Sequence, residues 1–410
     1  METIQSHVFQ NGLPAVYLYS PSAQVFTTIL LVGVGSRFET QVNQGLARFY
    51  TNVCFQSSEQ YPQKDLLLET IDQLGLIIKP TVTPEYSFYY FSSVNERFLS
   101  SLNLFINLLF RPSLNEQALI DEKQLSLAEI DMINKTPQFI GLNMLNSAIL
   151  NHTSLGFDIV GSKEAIQNLN FDILTAFKNK YYVSQNCLLV IVGPDKNFPL
   201  ASLEQLINLI PPGERQIASP FDFSQTKLVQ EKVSQMGKFS YLTFGHLCFG
   251  RNTDQRLAQN LLLNILIGGR KSQRLALLKE RKLVSLIRPW IKIFSDCGIF
   301  LIQANCNSVK EKGVKEEILA QLRDLASGSI SQDELEKAKN FSENQLLERL
   351  SNNLELGLFY SLILFFNLKE QTPQAVIEKI KSVSLEEINA ISQTIFKPEG
   401  ASWVIIGPGY

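Results

Sequence analysis

A five-residue segment returns half a chain away with four residues unchanged. Val190-Ile191-Val192-Gly193-Pro194 is echoed by Val404-Ile405-Ile406-Gly407-Pro408, an offset of 214 in a chain of 410 residues. A repeat of that length means two related packed units, because a single core rarely grows to this size. Compared element by element, the halves keep one order. In the first, Val25–Val34 reads as a strand, Gln44–Gln56 and Lys64–Leu74 as helices, Leu76–Thr83 and Glu85–Val94 as strands. Long helical stretches follow, then the strand ending in Gly193-Pro194. In the second, a strand spans Phe239–Phe249, helices Asp254–Ile267 and Ser272–Arg281, strands Val284–Phe294 and Gly298–Cys306. Helices then run to Phe396, before the strand Ser402–Gly407. Pro211-Pro212-Gly213-Glu214-Arg215 and Ser219-Pro220 break regular structure between them. The expected class is α+β: two homologous α/β domains, each a mostly antiparallel sheet covered by helices. The expected ranges are 1–210 for the N-terminal domain, 211–222 for a linker and 223–410 for the C-terminal domain.

Composition removes several functions. Thirty-seven basic against 39 acidic residues leave a net charge of −2, without the cationic excess of a nucleic-acid-coating protein. Only three histidines occur, His7, His152 and His246, so a site built from several imidazoles of this chain is excluded in practice. The five cysteines, Cys54, Cys187, Cys248, Cys297 and Cys306, are odd in number and widely spaced, against a disulfide framework or a four-cysteine zinc site. The longest apolar runs, such as Tyr360–Phe366, fall far short of the ~20 residues of a membrane span. No basic-then-apolar leader follows Met1, and a cytoplasmic location is the expectation.

Val32-Gly33-Val34-Gly35-Ser36-Arg37-Phe38-Glu39, followed by Gly45-Leu46-Ala47-Arg48-Phe49-Tyr50-Thr51-Asn52-Val53-Cys54-Phe55, resembles the pitrilysin/insulinase family of zinc peptidases, the inverzincins. In that family a strand ends in Gly-Ser-Arg-x-Glu and the next helix reads Gly-Leu-Ala-His-Phe-x-Glu-His-Met-x-Phe. The resemblance extends through Leu155–Ser162, Asn186–Gly193, Gly268-Gly269, Ser272, Arg274-Leu275 and Asp333–Lys339.

The family chemistry uses two histidines at i and i+4 of one helix face to bind Zn²⁺, a glutamate between them as general base, and a later glutamate as third ligand. The three motif positions here are Arg48, Thr51 and Asn52. Guanidinium has no lone pair for a metal, a threonine hydroxyl is no base, and an amide oxygen is a poor zinc ligand. The third ligand is matched by Glu129, 77 residues after Asn52, and a supporting acid by Glu122. The expectation is an ion pair in which Arg48 supplies Glu129 with the countercharge that zinc would supply. In the second domain the resemblance places Lys279 and Ser285 where active pairs carry a substrate-holding arginine and tyrosine. Arg281 could replace the arginine only if the helix register shifted. The glycine-rich loop of some non-catalytic processing subunits is shortened to Gly268-Gly269.

Other candidates read as structural. Cys54 occupies an apolar family position and is expected in the core, not as a nucleophile with His152 as base. His246 and Cys248 share a strand face but lack two further ligands for a metal. Asn134-Lys135-Thr136 and Asn151-His152-Thr153 are read as chance sequons. The phenylalanine-rich Phe359–Phe366 is expected to be core, with any exposed part favouring a partner.

The resemblance thus implies the silent half of a heterodimer whose homologous partner carries intact His-x-x-Glu-His. This chain would supply no metal ligand, base or nucleophile, and zinc would sit only in the partner. The complex would cleave or process peptides. The alternatives are a structural or binding protein of the same fold, as in the core subunits of the respiratory cytochrome complex, or a homodimer.

Overall fold

The computed structural model describes residues 4–150, 153–268, 274–397 and 400–409, with the side chain of Gln225 left out. The first sheet has six strands: β1 (Ile4–Val8), β2 (Pro14–Tyr19), β3 (Phe26–Val32), β4 (Lys79–Val82), β5 (Ser87–Ser93) and β6 (Cys187–Gly193), in the order β1-β2-β6-β3-β5-β4. The second has five: β7 (Gln230–Ser234), β8 (Phe239–Phe249), β9 (Leu286–Ile293), β10 (Cys297–Asn307) and β11 (Ser402–Gly407), in the order β7-β11-β8-β10-β9. The second repeats the first strand for strand once β1 is set aside. The sequence echo falls on β6 and β11, and each takes one parallel neighbour, β2 or β7, and one antiparallel neighbour, β3 or β8. Both sheets are therefore mixed, each with a single parallel pair. β1, β2 and β7 were not anticipated; β7 is a polar edge strand without clear alternation.

The chain forms two compact units, and neither is continuous. One comprises Met1–Asp131, Phe157–Ser219 and Arg349–Asn367; the other comprises Met132–Gly156, Pro220–Glu348 and Leu368–Tyr410. The ranges 1–210 and 223–410 cut across them, because each sheet has one face covered by a helix from the other half of the sequence. In the first unit the helix Asn353–Phe365 lays Leu356, Tyr360 and Phe365 on Ile29, Val190 and Val192. In the second the helix Pro137–Ile149 packs Leu145 and Ile149 among Ile299, Val404 and Ile406. A sheet with two apolar faces must have both covered, and each half supplies the other's cover. The segment expected as a linker also packs down. The carbonyls of Pro211 and Gly213 accept from Ser184 and Gln185, and the Arg215 guanidinium lies 4.0 Å from the Phe365 ring.

No helix among the described residues is long and apolar enough to cross a membrane. Gly269, Ser272 and His152 lie outside the described residues.

Candidate functional site: the motif helix and its facing acids

β3 ends in a turn held by charge. The side chains of Arg37 and Glu85 are each 6% exposed and pair at 2.7 Å, and Arg37 also donates to the Ser219 carbonyl at 2.7 Å. A pair this dry is costly to break, since the survivor is left as a buried charge. Glu39 then turns back, and its carboxylate accepts from the backbone N–H of Gly45 (2.7 Å) and Ala47 (2.8 Å) at the start of the motif helix Leu46–Val53. These are N–H groups that a helix leaves unpaired at its N-terminus. Burial pushes the Glu39 carboxyl up to about 7, against the pull of the two N–H donors. Gly45 enters the helix at φ +88°, and a Cβ there would sit 2.7 Å from the Val160 carbonyl oxygen. Gly161 faces it at φ +83°, where a Cβ would meet the Gln44 carbonyl oxygen at 2.2 Å. Both positions therefore require glycine, one for each side of a backbone-to-backbone approach.

Arg48, Thr51 and Asn52 occupy successive places on this short helix, and each is engaged differently. Arg48 Nη2 lies 2.5 Å from Glu129 Oε2, so the expected ion pair is formed. Asn52 turns its amide Nδ2 to Glu122 Oε1 at 2.7 Å, and Ser126 Oγ donates to the same oxygen at 3.0 Å. Glu122 and Glu129 project from the helix Glu116–Ile133, two turns apart, which sets one acid opposite each motif position. Burial raises the Glu122 carboxyl above its ordinary value; the Asn52 and Ser126 donors and the Arg48 charge oppose the shift, and Glu129 adds to it. Thr51 faces inward: its hydroxyl donates to the Ala47 carbonyl (2.9 Å) and contacts the Tyr89 hydroxyl (2.8 Å), which meets that of Tyr182 at 2.5 Å. Burial holds both phenols above their ordinary range, so this chain of hydroxyls is neutral. Cys54 is fully buried, its thiol pushed up by burial, as a core residue should be.

These residues do not fit a zinc ion. Glu129 is already neutralised by a guanidinium, and Asn52 presents a donor where a metal needs a lone pair. Among the described residues no group of three or more His, Cys, Asp or Glu side chains is arranged to hold a metal.

Lys279 and Ser285 belong to the second unit. Lys279 is exposed on the short helix Ala276–Glu280; Ser285 is exposed, and its hydroxyl donates to the Asn305 carbonyl at 3.2 Å. Arg281 caps that helix, and Lys282 beyond it turns left-handed at φ +53°, so the helix stops before any register shift can bring Arg281 into place. The roles of Glu39, Glu85, Tyr89 and Tyr182 were not foreseen. Glu39, six residues before the helix-entry Gly45, was the one readable signal.

Comparison with known proteins gives one picture. Residues 15–163 match the family model described as insulinase (peptidase family M16), and residues 168–341 match that of the peptidase M16 inactive domain. A Bacillus subtilis protein named as an uncharacterized zinc protease is 23% identical over 99% of both chains. The mitochondrial-processing peptidase subunit beta of Neurospora crassa is 26% identical over 46% of this chain and 40% of its own. The crystal structure of a Helicobacter pylori protease superposes with TM-score 0.90 at 19% identity over the whole of both chains. That of a peptidase M16 inactive domain from Pseudomonas fluorescens gives 0.91 at 16% identity, over 100% of this chain and 99% of its own.

Proposed function

The chain belongs to the insulinase family, peptidase family M16, in its small two-domain form, and from that premise we propose that it is a non-catalytic member acting as the silent subunit of a peptidase. The observation that carries this reading is the Arg48–Glu129 contact. The position of one family imidazole holds a cation, and that cation is spent on the acid that would be the third ligand. A guanidinium stays charged at any pH the protein meets, so the pocket does not revert to a metal site by losing a proton. Thr51 supports the same conclusion, since its hydroxyl is committed to Ala47 and Tyr89 and accepts no proton from water. Zinc and peptide hydrolysis then belong to a homologous partner with intact His-x-x-Glu-His, while this chain helps to enclose and position peptide. The exposed Lys279 and Ser285 contribute little to holding substrate.

Co-expression with such a homologue tests this. The expected result is a stable complex whose peptide cleavage is abolished by a chelator, while this chain alone neither retains zinc nor cleaves. Chelator-sensitive cleavage by the isolated chain overturns the non-catalytic reading. Absence of any complex favours a structural or binding role for the same fold. The variant Arg48→His/Thr51→Glu/Asn52→His is expected to bind zinc with little turnover, and brisk turnover would show that Lys279 and Ser285 suffice in the second domain.

A further inference from the structure

The second unit holds a cavity of about 260 Å³ that the peptidase reading does not use. It lies between the sheet face carrying His246 and Trp403 and the helix Glu311–Ala326, which contributes Lys315, Leu319, Leu322 and Arg323 at helical spacing. Its volume is at the small end for an organic ligand site.

Three features set its chemistry. His246 is 3% exposed and borders the cavity, and neither ring nitrogen makes a hydrogen bond of good geometry, only a looser approach to the Ile395 backbone, although buried polar groups are nearly always paired. Burial lowers its pKa to about 4, an effect the nearby Ile395 carbonyl only partly opposes, so at neutral pH the ring offers one donor and one acceptor. Lys315 Nζ stands 3.3 Å above the centre of the Trp403 ring, a cation–π contact that sets the ammonium at the cavity wall. Burial lowers the pKa of the Lys315 ammonium, Glu311 and Glu316 oppose that shift and Lys232 adds to it, and Glu311 already bonds Lys232 and Ser240. Arg323, eight residues on, exposes its guanidinium at the same wall. Leu319, Leu322 and Phe396 supply an apolar lining.

We propose that this cavity binds a small organic carboxylate, its apolar body against Leu319, Leu322 and Phe396, its anionic head between Lys315 and Arg323, and its polar edge on His246. Guanidinium and ammonium together select an anion, and the apolar lining selects one with a hydrocarbon body over bare phosphate. The site lies wholly in the second unit and does not depend on the motif pocket.

The chain has two tryptophans, so Trp290→Phe leaves Trp403 as a fluorescent reporter on the cavity wall. Phenylacetate titrated into that variant is expected to change its emission saturably. Phenylacetamide, with the same shape and no charge, should bind about tenfold more weakly or less, as should phenylacetate to Arg323→Gln or Lys315→Gln in the same background. Arg323 is exposed, so its variant should keep the parent melting temperature. The ring nitrogens of His246 should shift in the ¹⁵N spectrum as phenylacetate saturates. An unsaturable response, an equal response to phenylacetamide or inorganic phosphate, or unaltered affinity in both charge variants overturns the proposal.

Discussion

After β3 the chain enters its first helix through a buried carboxylate; after β8, at the same place in the repeat, it does so through a neutral amide. Glu39 reaches forward to the N–H groups of Gly45 and Ala47. Gln259 reaches back from the helix Arg256–Ile267, donating to the Phe249 carbonyl at 2.9 Å and accepting from its N–H at 3.0 Å. Both groups are buried, and both join a strand end to a helix. They differ in whether the joint can titrate. The first unit holds Arg37, Glu39, Glu85 and Glu122 in low-dielectric surroundings around its junction. Such groups are costly in a scaffold and are concentrated where a fold has been used for chemistry. The motif positions Arg48, Thr51 and Asn52 carry no imidazole, yet buried charged groups surround them.

The largest expected difference between the junctions follows from breaking their arginines. Arg37→Ala leaves Glu85 buried without its close partner and should cost about 3–5 kcal/mol in urea unfolding. Arg251, buried after β8 and donating to the Ile293 carbonyl at 3.1 Å, should cost about 1–3 kcal/mol as Arg251→Ala. Arg37→Met combined with Glu85→Leu should recover most of the first loss, because neither charge of the pair is then buried. Equal costs for the two single variants would erase the distinction.

The next effect is pH dependence. Glu39 binds its proton more tightly in the folded chain, at about 7, than at its ordinary 4.5. Its contribution is fully present below about 4.5 and is lost as pH rises through 7. The difference amounts to about 3 kcal/mol of stability over that window. Glu39→Gln should remove this part of the slope, measured as the urea midpoint between pH 4.5 and 8. Gln259→Ala should lower stability equally at every pH. A Glu39→Gln variant with an unaltered slope would show that this carboxylate is ionised throughout.

How far these features could be read from residues alone depends on range. The succession of strands and helices along each half, apart from β1, β2 and β7, and the Arg48–Glu129 pair were legible because they are fixed by local periodicity and by a spacing along helices. The exchange of helices was not. The run Phe359–Phe366 shows that a helix must be buried, but apolarity does not name the sheet that will bury it. That a threonine at position 51 cannot serve as a base was legible; its bond to Tyr89, 38 residues away, was not.

The exchanged helices provide a smaller test. A Cβ on Gly357 would sit 2.5 Å from Ile29 Cδ1, whereas one on Gly141 would meet Thr243 Oγ1 at 3.1 Å. Both glycines lie inside helices, where alanine gains up to about 1 kcal/mol. Gly357→Ala must displace Ile29 and should lose about 1–2 kcal/mol net. Gly141→Ala should fall within about 0.5 kcal/mol of the parent. Thermal melts of the two variants would separate a close-packed cover from a looser one.

The smallest effect bears most directly on the pocket. The side chains of Arg48 and Glu129 are 27% and 30% exposed, so water screens their attraction. A double-mutant cycle with Arg48→Met and Glu129→Gln should give a coupling of about 0.5–1 kcal/mol, falling as salt is raised to 1 M. The buried Arg37–Glu85 pair should be nearly salt-independent in the same experiment. A coupling near zero would mean that Arg48 is held by solvent and Glu129 is open to other cations, which would weaken the proposal that Arg48 takes the place of a metal beside Glu129. A coupling above about 3 kcal/mol would mean that the pocket has closed over the pair and become as dry as the junction that supports it.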